Sequence, residues 1–406
     1  MQLQPSSRQR ELLDLACRVA RTRFAPRAEG HDRDASFPFD DYADLHAEGL
    51  LGLCVPERFG GLGADFETYC LVAEQLAQGN ASTALTFNMH CLVMLMMGPI
   101  ADGMAMPAAA RERHEKLRVV KYREVVEEGV FYGQPHSEPV EHGETDRTLD
   151  VGGRRFGTTA QKVEGGYVVN GRKFFVSLAD SAPYFATPAI RLGGDEPWIE
   201  RTLYLKVPKG APGVSFPGDW DPMGMRATVS RDMVLENVFV PDDAEVLPPG
   251  LFGAIYNAFP HLFLTFSATF LGLAQAAYDG AIAYVTGRMP GAPIPHTELA
   301  AKGPAVAEML FALEAARAIY YRAISEAQVD PPLEVIQRAR AAHVTVQRMV
   351  VRVTQEAIRI CGGRAFLKRY PLERYARDAR AAALMRPWTE ELAVQQAWQT
   401  ALIPNA

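Results

Sequence analysis

The stretch "GTTAQKVEGGYVVNGRKFFVSL", residues 157–178, constrains this chain more than any other. Val, Phe and Tyr recur on both sides of Glu164-Gly165-Gly166 and Asn170-Gly171, two sites where glycine supplies the positive φ of a tight turn. The pattern predicts a meander of three short strands. Further strands are expected in "TLYLKVP" and "DMVLENVFVP", each stopped by a proline that cannot donate to a ladder.

The rest of the chain reads differently. Apolar residues at three- and four-residue spacing predict helices in "RQRELLDLACRVARTRF" and "FDDYADLHAEGLLGL", with a glycine-punctuated loop, "VPERFGGLGAD", after them. Residues 111–128 form a charged amphipathic stretch expected as a solvated helix. Helices return at 251–287, 297–328, 333–361 and 389–403, the third stopped by Gly362-Gly363. The expected class is α+β: an N-terminal helical domain (1–128), a central β-barrel-like domain (129–248) and a C-terminal four-helix bundle (249–406).

Composition excludes several functions. A formal charge of −6, with no basic block, leaves no footprint for nucleic acid. The five cysteines are too scattered for a metal cluster and odd in number, which predicts buried thiols in a reducing cytoplasm. Residues 262–284 come nearest to a membrane span, but Gln275 and Asp279 favour a core helix, so no span is expected.

Five segments in order carry a resemblance: "VPERFGGLGADFETYCLVAEQLA", "HSEP" followed by "TTAQKVEGGYVVNGRKFFVS", "MGMRATVSRDMVLENVFVPDD", "LGLAQAAYDGAIAYV" and "CGGRAFLKRYPLERYARDAR". Together they resemble the acyl-CoA dehydrogenase family of flavoproteins over nearly the whole chain. The resemblance implies FAD as cofactor, an acyl thioester as substrate, an electron acceptor or flavin reductase as partner, and a homodimer or homotetramer. It places Ser137 and Glu138 against the isoalloxazine, Phe175 stacked near it and Ser177 close to its reactive nitrogen. It also assigns Arg288, or alternatively Arg359, to the flavin pyrophosphate, and Gly362 and Gly363 to the turn beside it. The residue-level alternatives stay open: the serines also serve simply as strand ends, and Arg359 as a surface charge.

The base is the difficulty. Dehydrogenation between the α and β carbons of a thioester needs a group that takes the α proton, for which a carboxylate with a raised pKa is suited. The resemblance puts that position on Arg386, and the alternative position, with its neighbour, on Leu262 and Phe263. None of the three can accept a proton. Candidates to replace the base are His90 in "FNMHCLVMLMM", His136, His261 and Glu390. Each has a plain structural reading: a satisfied core histidine, or an acid in the first turn of a helix capped by Thr389. Three functions follow: an acyl-CoA dehydrogenase with another base, a flavin monooxygenase on the same fold, or a non-catalytic subunit of a flavoprotein complex.

Overall fold

The computed structural model describes residues 4–138, 157–292, 299–385 and 389–402. Six helices come first: α1 Ser7–Val19, α2 Ala25–Asp34, α3 Phe39–Ala47, α4 Phe66–Ala77, α5 Ala81–Leu95 and α6 Ala108–Glu128. Caps set several starts. The Ser6 and Asp65 side chains accept the backbone N–H groups of Gln9 and Thr68 at the heads of α1 and α4. Every residue of α5 is buried, and residues 81–100, which contain it, are long and apolar enough to cross a membrane, yet they lie inside the protein. Helix α6 departs from the solvated helix expected for its charge pattern. Its Arg118 side chain is fully buried and reaches Asp102 at 2.7 Å, so the charges hold one face of the helix to the body.

Strands follow: β1 Tyr132–Gly133, β2 Thr159–Val163, β3 Gly166–Val176, β4 Tyr184–Arg191, β5 Thr202–Pro208, β6 Val214–Ser215, β7 Arg231–Pro241 and β8 Glu245–Leu247. They pair as one eight-stranded sheet in the order β6-β7-β3-β2-β4-β5-β8, with β1 added parallel to β4. The β2–β3 hairpin turns at Gly165, as the sequence predicts. Asn170-Gly171 is not a second turn. Strand β3 runs straight through it, with a register shift against β7 at that point. Gly171 is needed for a different reason: a Cβ there would meet the Thr158 Oγ1 atom at 2.3 Å.

The C-terminal helices are α7 Leu251–Ala258, α8 Leu264–Val285, α9 Leu299–Ser325, α10 Leu333–Cys361, α11 Pro371–Asp378 and α12 Glu390–Leu402. The expected single helix over 251–287 is broken at Phe259-Pro260, where proline removes a backbone donor and a short 3-10 turn links α7 to α8. Helices α8, α9 and α10 pack together, and α8 also lies against α4 and α5, joining the two helical regions in one apolar core.

Candidate functional site

A cavity of about 430 Å³ opens where the N-terminal helices, the sheet and the C-terminal helices meet. Strand β3 builds its sheet-side wall. A second register shift against β7, between Lys173 and Val176, marks a bulge. At that bulge Phe175 adopts φ +51°, a left-handed conformation costly for an aromatic residue, and the ring stands 67% exposed on the cavity. It meets Trp220 edge-on at 6.4 Å. Two residues on, Ser177 also lines the cavity, and Ser137 comes in on the segment after β1, its carbonyl accepting the Phe174 N–H at 3.1 Å. The Ser177 hydroxyl is 2.9 Å from that of Ser230, which lies 2.8 Å from that of Thr228, and Thr228 donates to the Met225 carbonyl. The structure therefore brings Ser137, Phe175 and Ser177 to one wall.

Glu138 is turned elsewhere. Its carboxylate pairs with the fully buried Lys173 and accepts the Thr158 and Gly157 backbone N–H groups. Burial pushes the Glu138 carboxyl up, but the Lys173 charge and these donors outweigh it and hold it below the ordinary value. It braces the sheet behind Ser137 and does not line the cavity.

The opposite wall comes from α5 through Leu85 and from the chain between Arg377 and Met385, which contains the end of α11 and the 3-10 segment Ala379–Leu384. Gly224 lets the loop after β6 lie flat on α11, since a Cβ there would meet the Arg377 carbonyl oxygen at 2.4 Å. Next to it the Met225 N–H donates to Asp378 at 2.5 Å. Asp378 is 4% exposed, and burial pushes its carboxyl up to about 6 against the pull of that donor. Arg377 uses all five of its N–H donors. It binds Asp32 through two bonds at 2.9 and 2.6 Å, Glu373 through two at 2.7 and 2.9 Å, and the Met223 carbonyl at 3.0 Å. Asp32 lies in the last turn of α2, so this arginine ties all three parts of the chain together beside the cavity.

The candidate bases fall outside. His90 is in the core of α5: its Nε2 lies 2.8 Å from the Leu51 carbonyl, and its Nδ1 accepts the Tyr132 N–H at 3.3 Å. Burial lowers its pKa to about 4, so it stands neutral and engaged at both nitrogens. His136 is buried among Tyr204, Phe252 and Tyr256, with Nδ1 2.8 Å from the Tyr256 hydroxyl and Nε2 unpartnered, and burial drives its pKa well below the usual range. It lies next to Ser137 in the chain but is not on the cavity wall. His261 is fully buried with both nitrogens unpartnered. Glu390 opens α12 and binds Arg348 of α10 at 2.7 Å, with Thr389 accepting the Leu392 N–H, which is the capped-helix reading. Arg386 lies outside the described residues. Leu262 and Phe263 are buried between α7 and α8.

The proposed phosphate contacts lie elsewhere on the chain. Arg288 is exposed after α8 and donates to Thr286, and Arg359 is exposed and paired with Glu356. Gly362, at φ +77°, ends α10, and Gly363 follows it in the open. None of the four lines the cavity. Sequence reasoning misses Trp220, Thr228 and Ser230, although "MGMRATVSRD" contains the last two, because nothing local shows that the loop folds back under β3. It also passes over Arg377 and Arg380, which serve there only as markers of a helix.

Models of the acyl-CoA dehydrogenase N-terminal, middle and C-terminal domains match residues 6–102, 144–238 and 264–386. YdbM of Bacillus subtilis, whose name assigns it to the acyl-CoA dehydrogenases, is 30% identical over 93% of this chain and 93% of its own. This chain belongs to the acyl-CoA dehydrogenase family. It is a flavin oxidoreductase, and FAD is the cofactor the family uses. Human short-chain specific acyl-CoA dehydrogenase is 27% identical over 94% of this chain and 87% of its own. Among solved structures, KijD3 in complex with FMN and a dTDP-amino-keto sugar is 26% identical, with a TM-score of 0.78, covering 98% of this chain and 95% of its own. Butyryl-CoA dehydrogenase from Megasphaera elsdenii, at 24% identity and a TM-score of 0.80 over 99% of this chain and the whole of its own, shares the fold.

The cavity fits a flavin. It offers an aromatic ring held out by a backbone bulge, hydroxyls from two directions and an opposite wall of apolar side chains and two arginines. Ser137, Phe175 and Ser177 are the residues that would hold the ring system.

Proposed function

We propose that this family member oxidises its substrate without a carboxylate base from the protein, by the oxygen-dependent route of a flavin monooxygenase. One observation carries the reading. Among the described residues that line the cavity there are hydroxyls, apolar groups and two arginines, but no carboxylate and no imidazole. Removing the α proton of a thioester needs a positioned acceptor with a pKa near neutrality. Of the candidates for that task, His90 and Glu390 are committed to other partners, and His136 and His261, which keep unpartnered nitrogens, are buried off the cavity wall.

The bound flavin would supply the redox chemistry. The protein's part is positional. Ser177, tied to Ser230 and Thr228, presents a hydroxyl whose orientation is set by the next oxygen in the chain. Phe175 and Trp220 form an aromatic edge at the mouth, and Leu85, Leu384 and Met385 give the far wall apolar surface beside Arg377 and Arg380.

A second reading is α,β-dehydrogenation of an acyl thioester, with electrons passed to an acceptor flavoprotein, and the names of the curated relatives favour it. Both readings extend to a protein working in a reducing compartment such as the cytoplasm, in keeping with five free cysteines. They extend equally to assembly as a dimer or tetramer, for which exposed Phe311 and Phe366 offer apolar contact. The two readings separate in one experiment. The flavin-loaded protein is mixed anaerobically with short-, medium- and branched-chain acyl-CoAs and its visible absorption followed. The expected result is that no thioester bleaches the flavin. Bleaching by any of them would establish dehydrogenation and remove the first reading.

A further inference from the structure

Two arginines from one turn of chain face the cavity, and their circumstances are opposite. Arg377 is saturated: each of its five N–H donors is spent on Asp32, Glu373 or the Met223 carbonyl. Arg380, three residues on, lines the same cavity and is exposed, with no ion pair or hydrogen bond to any described residue. No described lining residue carries a negative charge, so nothing on the cavity wall neutralises that guanidinium. A cleft with one sign of charge and apolar walls concentrates its field on whatever enters. A planar guanidinium with a free fork matches a carboxylate through two parallel N–H···O bonds.

We infer that Arg380 is a specificity-determining residue that selects substrates carrying a carboxylate on an apolar body. The apolar body fits against Leu85, Leu384 and Met385, and the carboxylate meets the Arg380 fork at the wall opposite Ser177. Arg377 cannot take this role, because a ligand would have to displace Asp32 or Glu373. Its function is to hold the segment that carries Arg380. The inference rests on the reading of this cavity as the chamber shared by flavin and substrate.

The test uses a matched pair of probes, octanoate and octanamide, which differ in charge and little in shape. Each is titrated calorimetrically into the full-length protein, whose flavin content is measured on the same sample. The wild-type protein is expected to bind octanoate about tenfold more tightly than octanamide. The difference should vanish in Arg380→Gln and be partly kept in Arg380→Lys, with melting temperatures unchanged because Arg380 makes no bond within the described fold. Equal affinities in the wild type, or a preference surviving in Arg380→Gln, would overturn the inference. With free coenzyme A titrated as a third probe, a loss in Arg380→Gln confined to that probe would overturn it too, because it would assign the charge to a carrier's phosphate. Discrimination by protein that takes up no flavin would remove the proposed function while leaving the carboxylate site standing.

Discussion

The two walls of the cavity are held in different ways. The sheet-side wall rests on local backbone geometry: a bulge in β3 aims Phe175, and the buried Lys173–Glu138 pair fixes the strand directly behind it. The helix-side wall rests on contacts between residues far apart in the chain, with Arg377 joined to Asp32 across 345 positions and Asp378 joined to Met225 across 153. The first wall is centred on one strand, β3, and suits a cofactor that family members share. The second is assembled from three segments, so it can change its chemistry without disturbing the flavin side. Its described part presents a free arginine and no acid.

The largest expected effect comes from breaking the support of each wall. Lys173→Met leaves the Glu138 carboxylate buried without its cation and should cost about 4 kcal/mol of stability, seen as a lower denaturant midpoint. Arg377→Ala removes five bonds, but Arg377 is 19% exposed where Lys173 is fully buried, so about 2 kcal/mol is expected. A larger loss from Arg377→Ala than from Lys173→Met would reverse the comparison and make the helix side the principal support.

A smaller effect depends on pH. The Asp378 carboxyl, at about 6 in the fold, lies above its ordinary value of 3.8, so between these values the folded state binds more protons than the unfolded chain. Its contribution to stability is therefore greatest in acid, falls as pH rises from about 4 to about 6, and is constant above that. Asp378→Asn keeps an acceptor for the Met225 N–H and removes the proton. The melting temperature of the wild type relative to this variant should fall across that window. A flat difference would show that Asp378 is already ionised at the foot of the window.

The smallest effect is expected in the core. A general base at position 90 would lower turnover by about a hundredfold on replacement, whereas His90→Gln should change it by less than about threefold. A hundredfold loss with the fold intact would return His90 to catalysis.

Much of this was legible in the sequence, and the limit follows distance along the chain. The order of helices, strands and helices, the Gly165 turn and the proline-stopped ends of β5 and β7 follow from periodicity and turn chemistry within a few residues. Phe175 and Ser177 were legible in one local run at the end of β3, and Ser137 in a second short motif after β1. Glu138 was misplaced because adjacent residues on an extended chain point to opposite sides, and Lys173 claims the one that turns inward. His90, alone in an apolar helix, gives the same sequence signal whether it faces a pocket or a carbonyl. Only packing supplied Leu51 and Tyr132 as its partners. Likewise "RYARDAR" shows three equivalent arginines, and sequence cannot rank them, because a guanidinium's freedom depends on which distant carboxylates reach it. The sequence determined the family, the element order and the cofactor. Tertiary structure decided which charges are spent: Asp32 and Glu373 close around Arg377 and leave Arg380 open to the cavity.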